Sequence, residues 1–165
     1  MTEVLPVELA AETGRALTGK GWRLISAESC TGGLLAATMT EIAGSSEWFE
    51  GAFVTYRLSA KTAMVGVGTE MLASHGAVSE PVARAMAEGA LANSNADIAV
   101  SITGIAGPDG GDVVSPVGTV WFGWAIREDS AIRCVQTAEH HLSGNRQTVR
   151  AQAVKVALEG VLALC

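Results

Sequence analysis

Apolar positions recur along this chain with two different periods, and their alternation predicts a layered α/β protein. Val7, Leu9, Ala10, Thr13, Ala16 and Leu17 recur at three-and-four spacing. Pro6 to Leu17 therefore reads as a first helix, opened by a proline suited to its first turn and stopped by Gly19 and Gly21. Trp22 to Ala27 is an apolar run of strand character. It breaks at Glu28-Ser-Cys-Thr-Gly-Gly33, after which the apolar positions return at helical spacing and predict a helix over Thr31 to Ile42, ended by Gly44-Ser-Ser46. Trp48 to Tyr56 reads as a second strand, and Ser59–Met64 and Thr69–Ser74 as short helices, the latter closed by His75-Gly76. Ser79 is an N-cap candidate ahead of Pro81. Val82, Ala85, Met86, Gly89 and Ala90 mark one helix face to about Asn93, and the small residues there imply close packing against a sheet. Asp97 to Thr103 is a buried-type strand running into the glycine loop Gly104 to Asp112. Val117–Arg127 and Ala131–Ala138 flank a turn at Glu128-Asp-Ser130 and read as a hairpin, and Ser143-Gly-Asn-Arg146 opens a last helix through Leu164.

About five strands and five or six helices predict a single three-layer α/β/α domain spanning 1–165, with a mixed sheet because the hairpin must be antiparallel. Composition agrees. With 165 residues and 48% hydrophobic content, the chain can bury one good core and is too short for two ordinary domains; 17% charged residues and 19 glycines argue for tight turns rather than disorder. No apolar run reaches the roughly 18 residues of a membrane span, and Met1-Thr-Glu-Val-Leu-Pro6 lacks the basic start of a signal peptide, so the expected location is the cytoplasm. Cys30, Cys134 and Cys165 form neither a disulfide framework nor a CxxC pattern, which fits a reducing compartment. A net charge of −6 without a basic cluster argues against a nucleic-acid partner and for a small ligand.

Candidate chemistry gathers at strand ends, because ligands of open α/β sheets bind outside the carboxyl ends of strands. The turn after the first strand leaves unpaired N–H groups at a helix start, where the helix dipole favours an anion. Ser29 would sit at the mouth of that site as a nucleophile or phosphate ligand; alternatively, Ser29 or Thr31 merely caps the helix. Tyr56, Lys61, Thr103 and Arg146 fall at similar junctions. A serine beside a lysine is a nucleophile with its base, provided the lysine is desolvated or stands near another positive charge, which Arg146 or a cationic substrate ring would supply. Tyr56 can relay a proton or donate to an oxyanion. Against this, Lys61 also reads as a solvated helix lysine, Tyr56 as an edge tyrosine, Thr103 as a satisfied strand-end hydroxyl and Arg146 as a surface residue. Cys30 is a rival nucleophile or an inert buried thiol. Gly104–Gly111 matches neither a dinucleotide nor a P-loop spacing, and the histidines show no HxxxH pattern, so no cofactor and no metal are expected.

Five segments in order, Glu28-Ser-Cys-Thr-Gly-Gly33, Val54-Thr-Tyr-Arg-Leu-Ser-Ala-Lys61, Gly76-Ala-Val-Ser-Glu80, Thr103-Gly-Ile-Ala-Gly-Pro108 and Pro116-Val-Gly-Thr119, resemble the CinA C-terminal domain family from about residue 7 to 162. That is the nicotinamide-nucleotide amidohydrolase family, also met as competence/damage-inducible protein. The resemblance implies deamidation of nicotinamide mononucleotide to nicotinate mononucleotide and ammonia, a pyridine-nucleotide salvage step, by a homo-oligomer. It implies Ser29 as nucleophile, Lys61 as its activator and Tyr56 close to both. It implies that Thr103 and Arg146 line the substrate site, and Cys30, Thr31, Gly32, Gly33 and Gly104, in the same two loops, are expected to bind substrate with them. Leu58 stands where the family usually has asparagine, and the sequence starts at this domain, so the pyrophosphatase-like domain of longer members is not expected. Two other readings stand beside this one: a non-catalytic nucleotide- or protein-binding module, and a metal-dependent phosphoesterase using Glu28, Asp109 and Asp112.

Overall fold

Every residue of Leu24–Glu28 (β1) is buried, as a strand covered by helices on both faces must be. The computed structural model describes residues 4–165, so the reading of the chain start for a leader falls partly on residues 1–3, outside the described part. Around β1 lie α1 (Val7–Lys20), α2 (Leu34–Thr40), a 3-10 turn (Ser45–Glu47), β2 (Phe49–Val54), α3 (Leu58–Val65), α4 (Thr69–His75) and α5 (Glu80–Ala92). They are followed by β3 (Ile98–Gly104), β4 (Thr119–Glu128), β5 (Ala131–His141) and α6 (Arg146–Leu164). The sheet order is β2-β1-β3-β4-β5, with β1 parallel to both β2 and β3 and the β4–β5 hairpin antiparallel. This is the expected α/β fold with a mixed sheet of five strands. The hairpin turns at Asp129 and Ser130, both in the left-handed region (φ 48° and 68°) that a two-residue connection between twisted strands requires.

One core joins α1, α2 and α6 to the sheet through Leu17, Met39, Trp124 and Leu158; the other joins α3, α4 and α5 through Val65, Leu72, Met86 and Leu91. Trp124 donates its indole N–H to Ala157 O at 3.0 Å, giving the buried ring its polar partner. The small residues of α5 serve two purposes. A Cβ at Gly123 of the sheet would lie 2.7 Å from Ala83 O, so helix and sheet touch there as expected, whereas Gly89 makes room for the backbone of Val65 on α3. No helix among the described residues is long and apolar enough to cross a membrane.

Two local expectations are corrected. The second helix starts at Leu34, not Thr31, because Gly32 and Gly33 have φ of +57° and +97° and cannot continue a right-handed helix. Ser79 stands at the start of α5, but its hydroxyl donates to Gly76 O at 2.8 Å instead of capping the helix.

The chain leaves β1 through α2 on one face and returns to β3 through α3, α4 and α5 on the other. It thus reverses direction across the sheet between β1 and β3, and a crevice opens beyond the carboxyl ends of those strands.

Candidate active site

The turn after β1 is held from three sides. Ser29 N–H donates to Ile102 O on β3 at 2.9 Å, and Thr55 N–H, just past β2, donates to Glu28 O at 2.8 Å, so both neighbouring strands are zipped up to the serine. The Glu28 carboxylate, fully buried, then bends into the start of α2. Its oxygens accept Leu35 N–H at 2.9 Å, Ala36 N–H at 3.1 Å and the Ser26 hydroxyl at 3.2 Å. Two backbone donors and the helix dipole are what make a buried carboxylate without a cationic partner tolerable here. The helix start read as an open anion site is therefore filled by the chain's own acid, and neither Ser29 nor Thr31 caps it. From α6, Arg150 donates Nε to Cys30 O at 3.1 Å and an Nη to Thr31 O at 2.9 Å. Because a trans peptide points its N–H opposite to its C=O, this turns the Thr31 N–H away from Arg150.

Lys61, on α3, reaches back under this turn and is 1% exposed. Its Nζ donates to Ser29 Oγ at 2.9 Å, Thr55 O at 2.7 Å and Tyr56 O at 3.3 Å. All three partners are uncharged. Burial without a carboxylate pushes the amine down from 10.5 to about 8, a thiolate at Cys30 being the smaller, opposing influence. Burial has the reverse effect on the Cys30 thiol and pushes it up to about 11, further than the Arg150 charge can draw it back. The serine thus has a base poised near neutrality, while the cysteine beside it stays protonated.

Tyr56 divides its roles. Its carbonyl faces Lys61, but the residue is 59% exposed and its hydroxyl lies 3.4 Å from Arg146 Nη2 rather than at the serine. Arg146 Nη1 donates to Gly107 O at 2.8 Å, so the arginine at the start of α6 bridges the tyrosine and the glycine loop. Between them opens a cavity of about 340 Å³. Of the residues singled out in the sequence, Ser29, Cys30, Tyr56, Lys61, Thr103, Gly104 and Arg146 line it. Thr31, Gly32 and Gly33 do not, because the turn carries them behind Cys30 toward α6. The Thr31 hydroxyl is fully buried there and has no hydrogen-bond partner among the described residues. Thr103 contributes to the wall with its own hydroxyl already donating to Ala77 O at 2.8 Å. Leu58 lies outside, half exposed in an apolar groove between α3 and α4.

Asp109 lines the cavity, but Asp112 is spent on its own loop, accepting Val114 N–H and Ser115 N–H, and Glu28 is spent on α2. Among the described residues no three acidic, histidine or cysteine side chains gather as metal ligands. Glu28 as a helix cap and Arg150 as a brace were missed from sequence. The signal for Arg150 was its spacing of one turn from Arg146, which puts both on one face of the last helix.

A family model described as the CinA C-terminal domain matches residues 7–165. The curated relative from Escherichia coli K12, nicotinamide-nucleotide amidohydrolase PncC, is 52% identical over 159 residues, covering 96% of this chain and 94% of its own. The protein of the same name from Enterobacter agglomerans is 49% identical over 162 residues, covering 98% of this chain and 96% of its own. Among solved structures, the competence/damage inducible protein CihA of Agrobacterium tumefaciens superposes with a TM-score of 0.90 at 43% identity, covering 98% of both chains.

Proposed function

The chain belongs to the CinA C-terminal domain family, and from that premise we propose that it is an amidohydrolase that converts nicotinamide mononucleotide to nicotinate mononucleotide and ammonia in pyridine-nucleotide salvage. The observation that carries the reading beyond kinship is the 2.9 Å contact between Lys61 Nζ and Ser29 Oγ, in a cavity where that lysine has only neutral partners.

As a free amine, Lys61 donates to Thr55 O and Tyr56 O and accepts the Ser29 hydroxyl proton on its lone pair. Ser29 Oγ then attacks the carboxamide carbon, and the proton held on Lys61 passes to the departing nitrogen, so ammonia leaves and an acyl ester remains on the serine. Water attacks that ester with Lys61 again taking the proton, which returns to Ser29 Oγ as the ester breaks; nicotinate mononucleotide is released and the serine restored. The N–H of Cys30, which follows Ser29 on the cavity wall in the turn braced by Arg150, is suited to the developing oxyanion. With the α2 start filled by Glu28, the phosphate falls to Arg146, whose contacts to Gly107 and Tyr56 leave further N–H donors free. We assign catalysis to Ser29 and Lys61, with Tyr56 tying the base to the phosphate end. The same reading carries a cytoplasmic homo-oligomer that binds no nucleic acid.

The test is ammonia release from nicotinamide mononucleotide by the purified protein in EDTA, beside Ser29→Ala and Lys61→Ala. Release by the wild type alone is the expected result. Retained nucleotide binding with no release by folded wild type would instead favour the non-catalytic binding module.

A further inference from the structure

Lys61 must lose its proton before it can act as a base, and in the free protein burial alone lowers its affinity for that proton without removing it at neutral pH. The groups facing it account for this. The β1–α2 turn presents the Ser29 hydroxyl and the Cys30 thiol, and the segment after β2 presents the carbonyls of Thr55 and Tyr56. Glu28 points away into α2, Arg146 and Arg150 approach from α6, Arg57 is exposed at the start of α3, and Asp109 sits on the outer loop of the cavity. Among the described residues no carboxylate lies within hydrogen-bond reach to hold the ammonium, so a further positive charge in the cavity decides its state.

We propose that the substrate supplies that charge: the pyridinium ring drives the proton off Lys61 as it binds, so the site selects N1-substituted, cationic pyridine carboxamides over neutral ones by how well they switch on the base. This rests on the amidohydrolase reading above. For attack, the carboxamide carbon must come within roughly 3.5 Å of Ser29 Oγ, which itself is 2.9 Å from Nζ. The ring charge then lies roughly 7 Å from the amine, where a unit charge at an effective dielectric of about 20 moves a titration by about one to two pH units. Tyr56 keeps the phosphate from cancelling this. Its carbonyl contacts Lys61 and its hydroxyl contacts Arg146, so the anion is paired with arginine a full tyrosine length away from the amine. Between the bound and free midpoints of Lys61, binding releases up to one proton to solvent, and by reciprocity the nucleotide binds more tightly as pH rises through that window.

The chain has three lysines, Lys20, Lys61 and Lys155, so the Lys61 side chain can be followed by carbon NMR in Ser29→Ala protein, where no substrate is consumed. Its midpoint is measured free, saturated with nicotinamide mononucleotide, and saturated with the dihydro form of the same nucleotide, which keeps the ribose phosphate but has an uncharged ring. The expected result is a midpoint about one to two pH units lower with the cationic ring than in either other state. A midpoint in the cationic complex that is no lower than in free protein, or equal to that in the dihydro complex, overturns the proposal. Ammonia release by the wild type decides the underlying reading separately. Release without the shift removes the substrate-charge mechanism alone, and the shift without release removes the amidohydrolase assignment alone.

Discussion

Glu28 and Leu35, seven residues apart, are joined by a carboxylate–amide hydrogen bond of 2.9 Å that closes the turn carrying Ser29. Removing the acid leaves two buried N–H groups unpaired and a void at a helix start. Glu28→Ala should lower the unfolding free energy by about 2–4 kcal/mol, read from urea denaturation. Well below the denaturation midpoint, the surviving folded protein should show a lowered kcat with KM little changed, since the serine and not the phosphate site is displaced.

Ser29→Ala and Lys61→Ala should each reduce kcat by on the order of a thousandfold or more, because nucleophile and base act as a unit and either loss removes the pathway. Binding of nicotinamide mononucleotide, measured by calorimetry, should survive in Ser29→Ala. Lys61→Arg should rescue nothing, since a guanidinium stays protonated and cannot accept the serine proton.

The Lys61 titration predicts two pH effects. With the amine at about 8 in the folded protein, kcat/KM should rise with pH through that value as the free enzyme's base loses its proton. Stability follows from the same numbers. Between about 8 and 10.5 the unfolded chain keeps a proton on this lysine that the folded chain has lost, so unfolding takes up a proton and stability rises with pH across that window. The rise attributable to Lys61 is about 3 kcal/mol, and it should vanish in Lys61→Met when chemical denaturation is compared at pH 7.5 and 10.

Arg146→Ala should raise KM for nicotinamide mononucleotide by about ten- to a hundredfold with kcat nearly kept, and should leave binding of N1-methylnicotinamide, which has no phosphate, unchanged. Tyr56→Phe keeps the carbonyl that Lys61 uses and loses only the hydroxyl partner of Arg146. Its effect should therefore be a several-fold change in KM rather than a collapse of kcat. A loss near that of Ser29→Ala would restore the hydroxyl to the chemical step.

The strands and helices were legible because each carries its period in the chain: β1 as a largely apolar run broken only by Ser26 before Glu28, α5 as a stripe, the hairpin as alternation around Asp129-Ser130. The meeting of Ser29 and Lys61 was legible only as a suspicion, since 32 residues separate them and their contact is made by strand order, which no local pattern encodes. The turn was misread. A glycine pair before a helix signals exposed N–H groups, but which acceptor satisfies them depends on where one side chain of a buried strand bends, and Glu28 got there first. Arg150 was hidden for a related reason, because its value lies in backbone carbonyls on another element.

The pairing of Thr55 N–H with Glu28 O, next to the buried carbonyl that accepts from Lys61, fixes how long the reacting geometry lasts. To part the serine from the carbonyls that hold its amine the molecule must peel the edge strand β2 from β1, an opening slow beside side-chain motion. The Arg146 side chain, held at the rim by one carbonyl and one exposed phenol, can change rotamer in picoseconds to nanoseconds. Substrate therefore enters past a fast rim and reacts at a slower, hydrogen-bonded seam, and exchange of the Thr55 amide into deuterium should report the opening of the β2 edge rather than the motion of the rim.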